Sequence, residues 1–196
     1  MLIPDSLRLR FRGILEPLAK ALTSSHISPS TITVAGFVPA VVAGFLFTRG
    51  MVRMGGVFIG VSGLFDLLDG LVARLGGKET KFGALLDSTI DRYGEVAIFL
   101  GLAVLFKGTA TAYGVIVALC GSLMVSYVKA RTEGLGFSCD VGMLQRPERL
   151  IIILVGALIG EAALKWTIWI VAVLANATAI ERLLRVRTLM TTTRRS

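Results

Sequence analysis

The sequence predicts an all-α, polytopic membrane protein, on three observations: a surplus of apolar residues, long uncharged blocks between basic loops, and carboxylates gathered in one stretch. Of 196 residues, 54% are hydrophobic and 17% charged, with a mean hydropathy of +0.76. Soluble globular domains sit nearer about 45–50% apolar and about 25% charged. This length suits one domain, and a single small core cannot absorb the surplus, which therefore has to face lipid. The expected organisation is one membrane domain over 1–196. It comprises an N-terminal interfacial amphipathic helix at about 5–22 and a bundle of six transmembrane helices at about 28–187.

The interfacial helix comes first. Leu7, Phe11, Ile14, Leu15, Leu18 and Leu22 recur at helical spacing with Arg8, Arg10 and Arg12 interleaved. That pattern suits a helix lying in the membrane surface, and an ordinary amphipathic surface helix would look similar. Ser28 to Thr31, containing Pro29, mark the next helix start. Residues 27–48 carry no charge and make the first span, with a kink expected at Pro39. The second span, 52–73, gathers Asp66 and Asp69 toward its end, and a loop with Gly76 and Gly77 follows. The third, 82–106, opens with Asp87, Asp91, Arg92 and Glu95, whereas the fourth, 109–128, is uncharged. A polar stretch, 129–149, precedes the fifth span at 150–164 and the sixth at 166–184.

Charge then orients the bundle. One side of it holds sixteen basic residues, from Arg8, Arg10 and Arg12 through Arg74, Lys78 and Lys129 to Arg194 and Arg195. The other holds four: Arg49, Arg53, Lys107 and Lys165. The positive-inside rule places both termini, and the aspartates with them, at the cytoplasmic face of a cell membrane. Trp166 and Tyr113 fit an aromatic belt at the opposite face. His26, the one histidine, reads as a polar residue at headgroup level.

The net charge of +8 and pI of about 10.1 would raise nucleic-acid binding on a soluble chain. Here the cations sit between apolar blocks without a recognition motif, so membrane lipids or anionic substrates are expected and nucleic acid is not. Cys120 lies in an apolar run and Cys139 in a polar loop, which implies neither a disulfide framework nor a zinc site. The first 22 residues contain no uninterrupted apolar core and no small-residue cleavage site, so a cleaved signal peptide is not expected.

Four aspartates, Asp66, Asp69, Asp87 and Asp91, fall within 26 residues of strongly apolar sequence. Charge inside a span is costly and points to function. Spacings of three and four put each pair on one helix face, roughly 4.5 and 6 Å apart along the axis. Two such helices side by side would converge four carboxylates, which repel unless cations lie between them. Oxygen ligands of this hardness suit Mg²⁺ or Mn²⁺, and two such ions would clamp an in-line phosphoryl transfer. Gly70 leaves room for a phosphate at the backbone, Ala73 keeps the same face small, and Arg74 offers a guanidinium to a diphosphate. The plainer alternative pairs these aspartates with Arg74, Arg92 and nearby lysines at headgroup level. A cation channel or transporter is a third, and it predicts acidic residues spread through the membrane depth.

The run Asp66-x-x-Asp69-Gly70-x-x-Ala73-Arg74, then eight residues, then Gly83-x-x-x-Asp87-x-x-x-Asp91 resembles the signature of the CDP-alcohol phosphotransferase family at every position. The resemblance implies six transmembrane helices, usually as a homodimer, around a polar cavity open to the cytoplasm. It implies transfer of a phosphatidyl group from CDP-diacylglycerol, or an ether-linked CDP-lipid, with release of CMP. By position it assigns metal binding to Asp66, Asp69 and Asp87, with Asp91 contributing to a second metal and acting as general base on the acceptor hydroxyl. Asp69, Gly70, Ala73 and Arg74 would then lie along the CDP diphosphate and Gly83 at the nucleotide. Pro29, Ser30, Thr31, Ile32 and Thr80 look like further CDP-lipid contacts.

The acceptor alcohol rests on cations that the sequence places on the same side as the aspartates. Lys129 and Arg131 close the fourth span, Arg146 opens the fifth, and Arg182 lies near the end of the sixth. Converged, these four would suit an acceptor carrying its own phosphate; singly, each would suit a lipid headgroup. Ser126-Tyr127-Val128-Lys129-Ala130-Arg131 and Arg146-Pro147-Glu148-Arg149-Leu150 resemble segments of phosphatidylinositol-phosphate synthases from actinobacteria and archaea. That likeness implies inositol 1-phosphate as acceptor, with glycerol 3-phosphate as the alternative.

Overall fold

The computed structural model describes residues 5–25, 28–138, 142 and 144–193, and all but a few of their side chains. The side chains of Leu7, Arg8, Arg10, Phe11 and Arg12, and the residues His26, Cys139, Arg194 and Arg195, lie outside that description. The described residues form seven helices and no strand: α1 (Asp5–Ser24), α2 (Pro29–Thr48), α3 (Val52–Leu75), α4 (Lys81–Leu105), α5 (Ala110–Gly134), α6 (Arg146–Ile159) and α7 (Glu161–Thr193).

Local chemistry sets most of the boundaries. Ser28 caps α2: its hydroxyl accepts the Thr31 N–H at 3.2 Å, and Pro29 occupies the first turn, where an N–H has no helical partner. Thr80 does the same for α4, accepting the Gly83 N–H at 2.9 Å. At the start of α6 the Glu148 carboxylate accepts the Gln145 N–H, half of a capping box.

The last two helices differ from expectation. The fifth segment stops at Ile159 rather than 164, and α7 begins at Glu161 and runs on to Thr193, nine residues beyond 184. The cause is Gly160, whose φ of 146° lies where only glycine sits without strain, so the helix cannot pass through it. Among the described residues, four helices are long and apolar enough to cross a membrane: α2, α3, α5 and α7, the last over Glu161–Thr188. The other two expected spans fall short, α4 because of its charges and α6 because 14 residues rise only about 21 Å.

The core is built around α2, which packs against both α3 and α4; α5 packs on α7, and α6 bridges α3 and α7. Phe47, Ile59, Phe99, Leu102, Ile153 and Ile168 form the centre of a buried cluster drawn from these helices. The α2–α4 crossing is close enough that a Cβ at Gly101 would strike the Gly44 backbone. Helix α1 docks on α3 through Leu15 and Ala19, which join Ile32, Leu68 and Val72 in a second cluster. Ile14 and Leu18 remain exposed on its other side.

Candidate active site

Because α2 holds α3 on one side and α4 on the other, the ends of those helices that carry the aspartates meet across it. Asp66 and Asp69 on α3 and Asp87 on α4 each direct a carboxylate oxygen to within 4.8 Å of the other two. Asp69 is buried, and Thr33 of α2 donates its hydroxyl to Asp69 Oδ2 at 2.6 Å. One oxygen of Asp87, Oδ1, is buried with no hydrogen-bond partner. Three converging carboxylates with an orphaned oxygen fit a hard divalent cation, which would supply the missing partner and cancel the repulsion.

Asp91 adjoins that trio, its carboxyl within hydrogen-bonding reach of Asp66. One turn beyond Asp87, its Oδ1 lies 2.7 Å from Arg146 Nη1, while Oδ2 faces the Arg92 guanidinium at 3.7 Å. The same Arg146 nitrogen reaches Asp66 Oδ2 at 3.0 Å. Arg146 thus bridges one carboxylate of the trio to the fourth aspartate, and its Nε is buried without a partner.

Beside the trio opens a cavity of about 350 Å³. Pro29, Ser30 and Thr33 of α2 form one wall, and Asp69, Gly70, Ala73 and Arg74 of α3 another. Lys78, Glu79 and Thr80 of the α3–α4 loop, with Gly83, Ala84 and Asp87 of α4, close the rest. A Cβ at Gly70 would come within 3.4 Å of both terminal nitrogens of Arg74, so glycine keeps that guanidinium open to the cavity. This volume lies in the range of small-molecule sites, and its acidic floor beside a guanidinium suits a metal–diphosphate pair. Of the expected CDP-lipid contacts, Thr31 and Ile32 do not line the cavity. Thr31 is exposed and bound to the Ser28 hydroxyl, and Ile32 is buried in the α1–α3 cluster.

The four expected acceptor cations do not share one pocket among the described residues. Lys129 pairs with Glu133 at 3.6 Å, and Arg131 is exposed. Buried Arg182 donates from Nη1 to the Val125 carbonyl at 2.7 Å, fixing α7 to α5. Only Arg146 stands among the aspartates.

Two features escaped the sequence reading. Thr33 binds Asp69 from 36 residues away, and no local pattern announces it. Glu95 and Arg149 form a bidentate pair, Nε–Oε1 2.9 Å and Nη2–Oε2 3.1 Å, with both side chains fully buried. Their signal was present: Glu95 follows Asp91 by four residues and Arg149 follows Arg146 by three.

This geometry has counterparts among known proteins. The CDP-alcohol phosphatidyltransferase family matches residues 26–182. A phosphatidylinositol phosphate synthase of Mycobacteroides abscessus is 39% identical over 191 residues, covering 92% of this chain and 87% of that one. An archaetidylinositol phosphate synthase of Methanothermobacter thermautotrophicus is 37% identical over 190 residues, covering 94% and 96%. The Mycobacterium tuberculosis phosphatidylinositol phosphate synthase has been solved with CDP-DAG bound. It superimposes with a TM-score of 0.82 at 34% identity, over 88% of this chain and 93% of that one. Its complex with manganese and citrate gives 0.81 at 35% identity, over 88% of each chain. The match to the family over most of the length, together with these relatives, shows that the chain is a membrane phosphotransferase belonging to the CDP-alcohol phosphatidyltransferase family.

Proposed function

We propose that this enzyme transfers the phosphatidyl group of CDP-diacylglycerol, or of an ether-linked CDP-lipid, to inositol 1-phosphate, releasing CMP and forming a phosphatidylinositol phosphate. The observation that carries the proposal is the convergence of Asp66, Asp69 and Asp87, two of which, Asp69 and Asp87, line a cavity whose wall holds Arg74. The names of the relatives, one of them solved with CDP-DAG, support the donor and the inositol phosphate acceptor.

In this reading Asp66, Asp69 and Asp87 would hold divalent metal, two Mg²⁺ or Mn²⁺ ions with Asp91 contributing to the second. Bound metal would neutralise the phosphate oxygens as charge develops in the transition state. Arg74 grips the diphosphate, Gly70 and Ala73 let it approach α3, and Thr80, Gly83, Pro29 and Ser30 surround the nucleotide. Thr33 holds Asp69 in one orientation. Asp91 accepts the proton of the acceptor hydroxyl as that oxygen forms its bond to the phosphatidyl phosphorus. The bond from phosphorus to the CMP oxygen breaks, and CMP leaves with the electron pair. Arg146 fixes the Asp91 carboxylate through one oxygen and stands where an acceptor phosphate would arrive, whereas Lys129, Arg131 and Arg182 would have to leave the positions they hold here to reach that phosphate.

We also read α4 and α6 as crossing the membrane with the four apolar helices, since their charged residues Asp87, Asp91, Glu95 and Arg149 turn inward rather than to lipid. The enzyme then acts as a homodimer with both termini and the active site on the cytoplasmic side. The transport alternative expects acidic residues dispersed through the membrane depth, whereas here they meet at one site.

The acceptor assignment is tested by measuring both Michaelis constants in Arg146→Ala and Arg182→Ala. Loss of a charge-assisted bond to phosphate is worth about 1.5–3 kcal/mol, so the KM for the acceptor should rise at least about tenfold while that for CDP-diacylglycerol moves little. Unchanged acceptor KM in both would return these arginines to structural and headgroup roles.

A further inference from the structure

Two arginine–carboxylate contacts tie α6 to α4. Arg146 and Arg149 lie on successive turns of α6, as do Asp91 and Glu95 on α4, so the contacts form two rungs of one ladder. The rung nearer the site, Arg146–Asp91, also reaches Asp66. The farther rung, Arg149–Glu95, lines neither the cavity nor the narrow cleft around Arg146. Both its side chains are fully buried, and Arg149 Nη1 additionally donates to the Leu144 carbonyl at 3.3 Å.

A fully buried ion pair is a poor stabiliser, since apolar side chains of similar volume often serve as well or better. What the pair supplies is geometry. Two parallel N–H···O bonds fix both the distance and the rotation of one helix against the other, which a single contact cannot. Arg146 is the first residue of α6, one turn from this fork, at an end of the helix where few intrahelical bonds hold it. The placement of its guanidinium therefore follows from the fork.

We propose that Glu95 and Arg149 are positioning residues: their buried fork sets α6 against α4 so that Arg146 is held on Asp91 and Asp66. The proposal rests on the functional reading only where Arg146 is taken to face the acceptor.

The test is a mutant cycle. Glu95→Leu/Arg149→Met removes both charges together and keeps the volume, and it is combined with Arg146→Ala. Three properties are read: thermal unfolding, Mn²⁺ affinity of the substrate-free protein, and the KM for acceptor and for CDP-diacylglycerol. The paired variant should unfold at the parent temperature. Its acceptor KM should rise about 10–100-fold, the usual effect of losing a residue that orients another. The donor KM should stay near the parent value. Its Mn²⁺ affinity should shift in the same direction as that of Arg146→Ala. Adding the paired substitution to Arg146→Ala should change nothing further, because its effect passes through Arg146. Full additivity, or parent-like Mn²⁺ affinity and acceptor KM in the paired variant, overturns the proposal. Arg149→Lys keeps the charge without the fork and should show the same acceptor defect; parent-like behaviour there would reduce the pair to charge balance. If the paired variant does not fold, Arg149→Lys, which keeps the buried charge and removes only the fork, carries the same cycle. Should the parent use no phosphorylated acceptor, the functional reading fails, while the Mn²⁺ arm still decides the positioning role.

Discussion

Thr33→Val isolates the orientation of one carboxylate from its charge. The two side chains are nearly isosteric, so the substitution deletes a hydroxyl without opening a void. That hydroxyl lies 2.6 Å from Asp69 Oδ2, a short bond to a charged acceptor in a buried setting. Hydrogen bonds to charged groups contribute about 1.5–3 kcal/mol, which corresponds to roughly one to two powers of ten in an equilibrium constant. Without the bond, the Asp69 carboxylate is free to rotate away from Asp66 and Asp87, and that freedom has to be removed again when metal binds. Outer-shell groups of this kind typically change metal affinity about 10–100-fold. We therefore expect Mn²⁺ to bind Thr33→Val about tenfold more weakly, by titration of the detergent-purified protein and the paramagnetic signal of free Mn²⁺. Thr33→Ser, which keeps the hydroxyl, should bind like the parent. Parent-like or tighter Mn²⁺ binding in Thr33→Val would refute the claim that Thr33 orients a metal ligand.

Three further outcomes follow from the same geometry. Asp66→Asn, Asp69→Asn and Asp87→Asn should each lose Mn²⁺ binding and CMP release together, and chelation should silence the parent until metal is restored; turnover in metal-stripped protein would contradict this. Asp91→Asn should bind CDP-diacylglycerol normally yet turn over about 10²–10⁴-fold more slowly, the usual cost of removing a general base. A parallel loss of donor affinity would instead make Asp91 a ligand or a structural residue. Gly101→Val drives a side chain into the Gly44 backbone and should destabilise the bundle by about 1–3 kcal/mol, seen as a lower unfolding temperature; an unchanged transition would mean that α2 and α4 can separate there freely.

What could be read from the sequence divides along physical lines. Intrahelical spacing is local, so the pairing of Asp66 with Asp69 and of Asp87 with Asp91 on shared faces needed no tertiary knowledge. Caps are local as well, and Ser28 stands where the sequence starts a helix. The break at Gly160 was not foreseen because an isolated glycine between apolar runs is compatible with a continuous span; only its positive φ decides the matter. Contacts between distant segments were harder still. The bond from Thr33 to Asp69 joins α2 to α3, and Arg146 meets Asp66 from 80 residues away. The basic residues near the ends of α5, α6 and α7 looked alike in the sequence. In the fold they diverge: one bridges two aspartates, one holds a backbone carbonyl, and one pairs within its own helix.

The most direct measurement of the central claim is the initial rate of CMP release from CDP-diacylglycerol, with Mn²⁺ or Mg²⁺ present, across a panel of acceptors. Inositol 1-phosphate should give the fastest turnover, glycerol 3-phosphate slower turnover, and free inositol and serine little above the rate without acceptor. Faster turnover with glycerol 3-phosphate would move the acceptor assignment while leaving the transfer chemistry intact. Equal rates with free inositol and its phosphate would contradict the account, because Arg146 would then have no acceptor anion to hold.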